Sequence, residues 1–471
     1  MRKLLWTTDD LLRAMEARPV GSMPDGITGI SIDTRSIATG EAYFAIKGDV
    51  HDGHKFVANA YAGGASLSVI SEDWLDRLEG ETGPLLVVDD VLAALERLGI
   101  AARARTNAQV IAVTGSVGKT TTKEALRVAL APSGEVHAAV ASFNNHWGVP
   151  LTLARMPQDT RYAVIEIGMN HPGEITPLVK MARPHVAAVM NVAAVHLGAF
   201  DSVDGIAKAK AEIFLGLEPE GTALINADDE RISLLKSYAR DAGVSNIVTF
   251  GEADGADVQL KKAILHGSCS CMTATVLGDP MVVKVGAPGR HIVQNVLGVL
   301  AACKLLGADL ARAGLALADM RPVKGRGQRH NLGEGENRLI LIDESYNANP
   351  TSMRAALDLL AATPTRGNGR HIAVMGDMLE LGPTSAQLHE GLADAVAATG
   401  IDRVYLAGPE MGALHRVLAE RGISTHAESI EALIPAIRAD LRGGDVIMAK
   451  ASLGMGFSRL IDNLLATANS G

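Results

Sequence analysis

QVIAVTGSVGKTTTKEALRVAL, residues 109–130, carries an apolar strand pattern, a loop of small residues and a helical pattern in immediate succession. Strand, glycine-bearing loop and helix in that order bring backbone N–H groups and a helix N-terminus to one point, where they hold an anion. The loop residues Thr114, Gly115, Ser116, Val117, Gly118, Lys119, Thr120 and Thr121 are therefore expected to cradle the phosphates of a nucleotide. Lys119 can reach the β- and γ-phosphates, and the Thr120 hydroxyl can hold Mg2+. The loop departs from the common GxxxxGK[ST] pattern, because the position five before Gly118 is Val113 and only GxxGKT is present. The strand and helix on either side argue for a phosphate site over a structural turn.

Short apolar runs of the kind buried in parallel sheets recur on both sides of this segment. YAVIEIG and HVAAVMNV follow it, and the carboxylate of Glu166 in the first of them is costly to bury unless it is paired or on a metal. That position is near the carboxyl end of a strand, where open α/β sheets bind ligands. His196 follows the second run by a short loop and could arrive at the same edge. In DSVDGIAKAKAEIFLGL, helical spacing aligns Asp204, Lys208 and Glu212 as a solvent-facing row. Lys210 falls instead with Ile206, Phe214 and Leu217 on the apolar face, as a snorkelling lysine at the stripe's edge or a functional lysine near the nucleotide.

In the first part of the chain the runs GITGISIDT, EAYFAIKG, ASLSVIS and PLLVVDD, the last at residues 84–90, read as strands of a small α/β module without a phosphate loop. After the Gly- and Arg-rich segment 322–338, RLILIDES, HIAVMGD, DRVYLAG and DVIMAKA alternate with helical stretches, as in a second open parallel sheet. The expected fold is α/β with three domains: a small N-terminal α/β module (1–84), a central P-loop ATPase-like parallel-sheet domain (85–320) and a C-terminal Rossmann-like parallel-sheet domain (321–471). No strand carries GxGxxG, so a dinucleotide cofactor is not indicated.

Composition agrees with this class. Of 471 residues 47% are apolar and only 3% aromatic, and 49 are glycine, a mixture that suits α/β packing better than a ring-filled β-sandwich. With 44 Lys and Arg against 53 Asp and Glu, the net charge of −9 offers no footprint for nucleic acid or an anionic membrane. The three cysteines, Cys269, Cys271 and Cys303, lack metal-ligand spacing and are expected to be reduced packing residues. No apolar segment reads as a signal peptide or transmembrane span, so a cytoplasmic monomer is expected.

Taken together, GSVGKTT, Glu166 in EIG, His196 in NVAAVHLGAF, Lys210 in AKAKAEIF, Asn295 in GRHIVQNVLG and Arg326 in KGRGQR occur in an order that resembles the Mur ligase family. These are the ATP-dependent amide-forming enzymes of peptidoglycan precursor synthesis. Within the family, FNNHWGVPLTL, EIGMNHPGEI and IDESYNANPTSM are similar to the branch that joins D-alanyl-D-alanine to UDP-N-acetylmuramoyl-tripeptide. The resemblance implies that Glu166 and His196 hold a second Mg2+ and that Lys210 is carbamylated, which turns a buried cation into a carboxylate able to contact that ion. It implies that Asn295 faces adenine, Arg326 the γ-phosphate and the Asp343–Glu344 pair the ribose. Relatives usually have two Asp residues there, which leaves open which of the two reaches the nucleotide.

The UDP-sugar end is expected against Asp33, Thr34, Arg35 and Ser36 of DTRS, Lys47 and Gly48 of FAIKG, and Asp52, Gly53 and His54 of DGH. The peptide and dipeptide are expected against Asn144, Asn145, Tyr346, Asn347, Asn349, Lys450 and Ser452. Catalysis would then rest on Lys119, Lys210 and Arg326, with PVKGRG as the hinge that brings Arg326 to the γ-phosphate. A sibling ligase adding the third residue, a folyl-polyglutamate synthetase and a nucleotide-triggered switch are the alternatives, and the last of these would need neither Lys210 nor a UDP-sugar module.

Overall fold

The computed structural model describes residues 3–48, 50–78, 83–195, 198–335 and 338–468, and among these the strands form four sheets. Gln109–Thr114 lies inside a nine-stranded sheet, between Val186–Val189 and Tyr162–Glu166, and is parallel to both. Its side chains alternate between two apolar layers: Ile111 and Val113 pack on one face, Val110 and Ala112 on the other. A strand covered on both faces needs no polar side. The register sets Glu166 beside Val113 and Val189 beside Thr114, so that Glu166 and the phosphate loop leave the sheet at one edge. The antiparallel strands Val258–Leu265, Ser270–Val276 and Asp279–Val285 extend this sheet on its far side, where polar and apolar residues mix and no buried-strand run is legible.

The five-stranded first sheet has the order Arg18–Val20, Leu85–Val88, Leu67–Ser71, Glu41–Phe44, Gly29–Ser31 and is parallel except for its first pair. The boundary expected at residue 84 falls inside this sheet, because Leu85–Val88 pairs with Leu67–Ser71, and the helix Val91–Ala104 shares the same core through Leu95 and Leu98. The six-stranded third sheet runs Gln328–Leu332, Leu339–Glu344, Val446–Lys450, His371–Gly376, Arg403–Ala407, Ser424–Ala427, with only the first strand antiparallel to its neighbour. Here too the faces alternate, with Ile342 and Met375 in one layer and Leu341 and Val374 in the other. Glu344 and Lys450 are register partners at the carboxyl edge. No helix among the described residues is long and apolar enough to cross a membrane.

The row expected from Asp204, Lys208 and Glu212 holds only for its first two members, which are exposed. The α-helix Val203–Ala211 tightens to a 3-10 helix at Glu212, and that carboxylate turns to accept hydrogen bonds from Gly173 N (2.7 Å), Thr176 N (3.0 Å) and Thr176 Oγ1 (2.9 Å) at the start of a neighbouring helix. The change of helical pitch breaks the i, i+4 alignment.

Candidate active site

Gly118 sits at φ +81°, and a Cβ there would meet the Asn295 amide at 2.8 Å, so only glycine fits between the loop and the helix Arg290–Leu305. The helix Lys119–Leu130 starts at the next residue and aims its N-terminus into a cavity of about 760 Å³ between the second and third sheets. The loop is pinned from behind, with Val117 N donating to Asn191 Oδ1 (2.9 Å) and Ser116 Oγ to Ala193 O (3.0 Å). Lys119 Nζ donates to Gly115 O at 2.6 Å. Burial pulls its ammonium below the usual lysine range and Arg326 adds to this, while Glu166 opposes it.

Glu166 is 1% exposed. Its Oε1 accepts from Thr120 Oγ1 (3.0 Å) and Asn144 Nδ2 (2.8 Å), and its Oε2 is buried with no hydrogen-bond partner among the described residues. Such an orphan is expensive unless a ligand completes it. Lys210 is 2% exposed, and desolvation followed by the charge of Lys119 lowers its pKa well below the ordinary value. The edge-of-stripe position of Lys210 is therefore a buried one. His196 lies outside the described residues.

The third sheet supplies the opposite wall. Arg326 stacks on the Tyr346 ring at 4.2 Å, and its Nη2 is 3.5 Å from Ser142 Oγ on the second sheet's side. The two carboxylates of IDES part company. Asp343 turns inward, with Oδ2 accepting from Gly325 N (3.1 Å) and Oδ1 from Ser345 Oγ (2.6 Å), which clamps the glycine-rich linker. Glu344 lines the cavity, 3.3 Å from Lys450 Nζ. Lys450 also donates to Asn347 O (2.8 Å), and burial lowers its pKa, with Glu344 opposing. Tyr346, Asn347, Asn349 and Asn144 line the same cavity. Asn349 also caps the helix Pro350–Ala361 in a reciprocal bond pair with Ser352, and Asn145 Oδ1 accepts from Gly148 N (2.9 Å) at the start of the helix Gly148–Ala154. Ser452 stands apart, with its Oγ accepting from Leu379 N (2.9 Å).

The residues expected at the UDP-sugar end are not in this cavity. Arg35 forms a bidentate pair with Asp33 in the exposed DTRS turn, where Ser36 N donates to Asp33 O (3.2 Å) beside Thr34. Lys47 bridges to Asp52, and Gly48 N donates to His51 O (2.9 Å). His54 is 4% exposed and fully engaged: Nδ1 lies 2.6 Å from Asp52 Oδ1, Nε2 accepts from Ser71 N (3.0 Å), and Trp74 stacks on the ring at 5.0 Å. A Cβ on Gly53 would meet Ile46 O at 2.6 Å, so the turn requires glycine. Cys303 is a core residue whose thiol burial pushes up to about 12, and Cys269 and Cys271 are partly buried.

Ser142 and Asn191 carry no signal in the sequence, and Lys123 carries little. Lys123 is fully buried, donating to Ala139 O (2.7 Å) and Ala141 O (3.2 Å). Its spacing one turn after Lys119 is the only hint that it belongs to the site's framework.

Residues 26–129 match the model of the Mur ligase family catalytic domain, 113–303 that of the Mur ligase middle domain, and 325–453 that of the Mur ligase, glutamate ligase domain. The UDP-N-acetylmuramoyl-tripeptide--D-alanyl-D-alanine ligase of Escherichia coli (strain K12) is 35% identical over 88% of this chain and 87% of its own. A crystal structure of MurF from Acinetobacter baumannii superposes with a TM-score of 0.84 at 31% identity, covering 99% of this chain and 100% of that one. The MurF ligase of Thermotoga maritima in complex with ADP shares the fold at a TM-score of 0.75 and 24% identity, over 94% and 98% of the two chains. The chain belongs to the Mur ligase family.

Proposed function

We propose that this protein uses ATP to join D-alanyl-D-alanine to UDP-N-acetylmuramoyl-tripeptide, giving UDP-N-acetylmuramoyl-pentapeptide, ADP and phosphate in peptidoglycan precursor synthesis. The observation that carries this is the meeting, in one cavity, of Lys119 and the orphaned Glu166 with Arg326, Glu344 and Lys450 from the opposite sheet. The named activity of the E. coli relative and the ADP of the T. maritima structure support it.

The phosphate loop holds the triphosphate, Asn295 contacts the adenine, and Glu344, which faces the cavity, takes the ribose in place of Asp343. The DTRS, FAIKG and DGH segments hold the UDP-sugar, and the acceptor dipeptide lies along Tyr346, Asn347, Asn349 and Lys450. The Thr120 hydroxyl would hold one divalent cation, and the unpartnered Glu166 Oε2, with His196 and a carbamylated Lys210, would hold a second. Mg2+ at these positions supplies positive charge to phosphoryl oxygens. The neutral amine that burial favours at Lys210 is the form that reacts with CO2.

A carboxylate is a poor acylating agent, so it is activated first. The tripeptide carboxylate oxygen attacks the γ-phosphorus in line, the bond to the β-bridging oxygen breaks, and ADP leaves while Lys119 and Arg326 balance the charge on the transferring group. The dipeptide amine then attacks the carbonyl carbon of the acyl-phosphate. It loses a proton, and phosphate departs from the tetrahedral intermediate as the amide forms. Walls from two sheets exclude the water that would hydrolyse the acyl-phosphate. Mass spectrometry of a reaction containing ATP, UDP-tripeptide and either D-alanyl-D-alanine or single amino acids tests this. The pentapeptide product with the dipeptide alone is expected, whereas extension by a single residue supports the sibling ligase.

A further inference from the structure

Four side chains stand in a row across the seam between the second and third sheets. Arg326 Nη2 lies 3.5 Å from Ser142 Oγ, Ser142 Oγ 3.1 Å from Thr120 Oγ1, and Thr120 Oγ1 3.0 Å from Glu166 Oε1. The Glu166 end sets the direction of the last two links, because a carboxylate only accepts and each hydroxyl has a single hydrogen, and Arg326 sets the first, because a guanidinium only donates. Arg326 donates to Ser142, Ser142 to Thr120, and Thr120 to Glu166. In this arrangement one lone pair of Thr120 Oγ1 accepts from Ser142 and the other is left for a ligand. The positive guanidinium turns the Ser142 hydroxyl hydrogen away from itself and toward Thr120, and without Arg326 that hydroxyl is free to rotate out of the row.

Ser142 is held in place independently of Arg326. Lys123 fixes the carbonyls of Ala139 (2.7 Å) and Ala141 (3.2 Å) just before it and lies 3.0 Å from Glu124 Oε1, so that all three ammonium hydrogens have acceptors. Two residues later, Asn144 Nδ2 donates to Glu166 Oε1 at 2.8 Å. On the other side of the seam, the Tyr346 ring 4.2 Å from the Arg326 guanidinium keeps that group aimed at the serine.

We propose that Ser142 is a positioning residue for phosphoryl transfer, the link through which Arg326 sets the orientation of the Thr120 hydroxyl at the phosphate loop. The proposal rests on the ligase reading above. It assigns a role to a serine whose hydroxyl contributes only by joining a residue of the third sheet to one of the second.

The test compares the wild type with Ser142→Ala, Ser142→Thr, Arg326→Ala and the Ser142→Ala/Arg326→Ala double variant. Turnover and KM would be measured, together with calorimetric affinities for ADP and for a non-hydrolysable ATP analogue. Breaking a hydrogen bond to a charged group is expected to lower kcat by about tenfold in Ser142→Ala, with KM for UDP-tripeptide unchanged. Ser142→Thr, which keeps the hydroxyl, restores most of the turnover. Affinity for the ATP analogue falls in both alanine variants, ADP affinity is retained, and the double variant is no worse than Arg326→Ala. Wild-type turnover in Ser142→Ala, or losses in turnover or analogue affinity that multiply in the double variant, would overturn the proposal. If the wild type itself released no dipeptide-dependent phosphate, the ligase reading would fall, and the analogue-binding cycle would still decide whether 142 and 326 act as one unit.

Discussion

His54, in the 3-10 helix Gly53–Phe56 against the last residue of the strand Leu67–Ser71, and Glu166, the last residue of the strand Tyr162–Glu166, are both buried, and their surroundings differ in one respect. His54 has both ring nitrogens engaged within the first module, whereas Glu166 has one carboxylate oxygen with no partner among the described residues. The same contrast separates Asp343, whose oxygens hold the backbone of the linker, from Glu344, which faces the cavity. A buried polar group that is fully bonded shapes the backbone around it. One that is left incomplete is where a ligand gains most by arriving. Chemistry therefore belongs to the wall containing Lys119 and Glu166, with Lys210 buried near Lys119, and framework to Asp52, His54 and Asp343.

The largest effect expected from this division is at Lys119. Lys119→Ala should leave the fold nearly intact, because the side chain bonds only its own loop, yet lower kcat by more than about 10²-fold, since a charge aimed at the transferring phosphoryl group is lost. Ligation near the wild-type rate would show that the loop is not the ATP site. Lys210→Ala should be nearly inactive and partly recover with a short added carboxylic acid, because the group lost under the proposed carbamylation would be a carboxylate. Recovery with amines and not with acids would reject carbamylation.

Arg326→Ala comes next, lowering turnover far more than affinity for UDP-tripeptide, which the first two sheets hold. A companion scattering experiment should show the protein becoming more compact with an ATP analogue and UDP-tripeptide, with glycines of the linker absorbing the rotation. Identical profiles, or a loss confined to UDP-tripeptide binding, would contradict the hinge. The smallest effect on kcat is expected at His54. His54→Ala should destabilise the first module by about 1–3 kcal/mol through the groups it leaves unpaired and raise KM for UDP-tripeptide with kcat nearly unchanged. An equal fall in kcat would move His54 from framework to chemistry.

Much of this is legible in the sequence. The strand, loop and helix around Gly118 follow from local pattern, and so do the strands of the third sheet, because buried parallel strands are short apolar runs. Helical periodicity separated Lys208 from Lys210, and the structure exposes the first and buries the second. Periodicity failed at Glu212 because the helix changes pitch there, and composition could not reveal the polar hairpins that widen the second sheet. The choice between Asp343 and Glu344 depends on which side of the strand the cavity lies, which local sequence does not encode. Ser142 and Arg326 are 184 residues apart, and their contact exists only because two sheets meet.

The most direct test of the central claim follows the oxygen of the substrate carboxylate. UDP-N-acetylmuramoyl-tripeptide labelled with heavy oxygen at its terminal carboxylate would be turned over with ATP, with and without D-alanyl-D-alanine, and the released phosphate analysed by mass spectrometry. If one cavity performs phosphoryl transfer and then acyl transfer, phosphate release depends on the dipeptide, and the phosphate carries one labelled oxygen. Phosphate that is released equally without the dipeptide, or that carries only solvent oxygen, would contradict it.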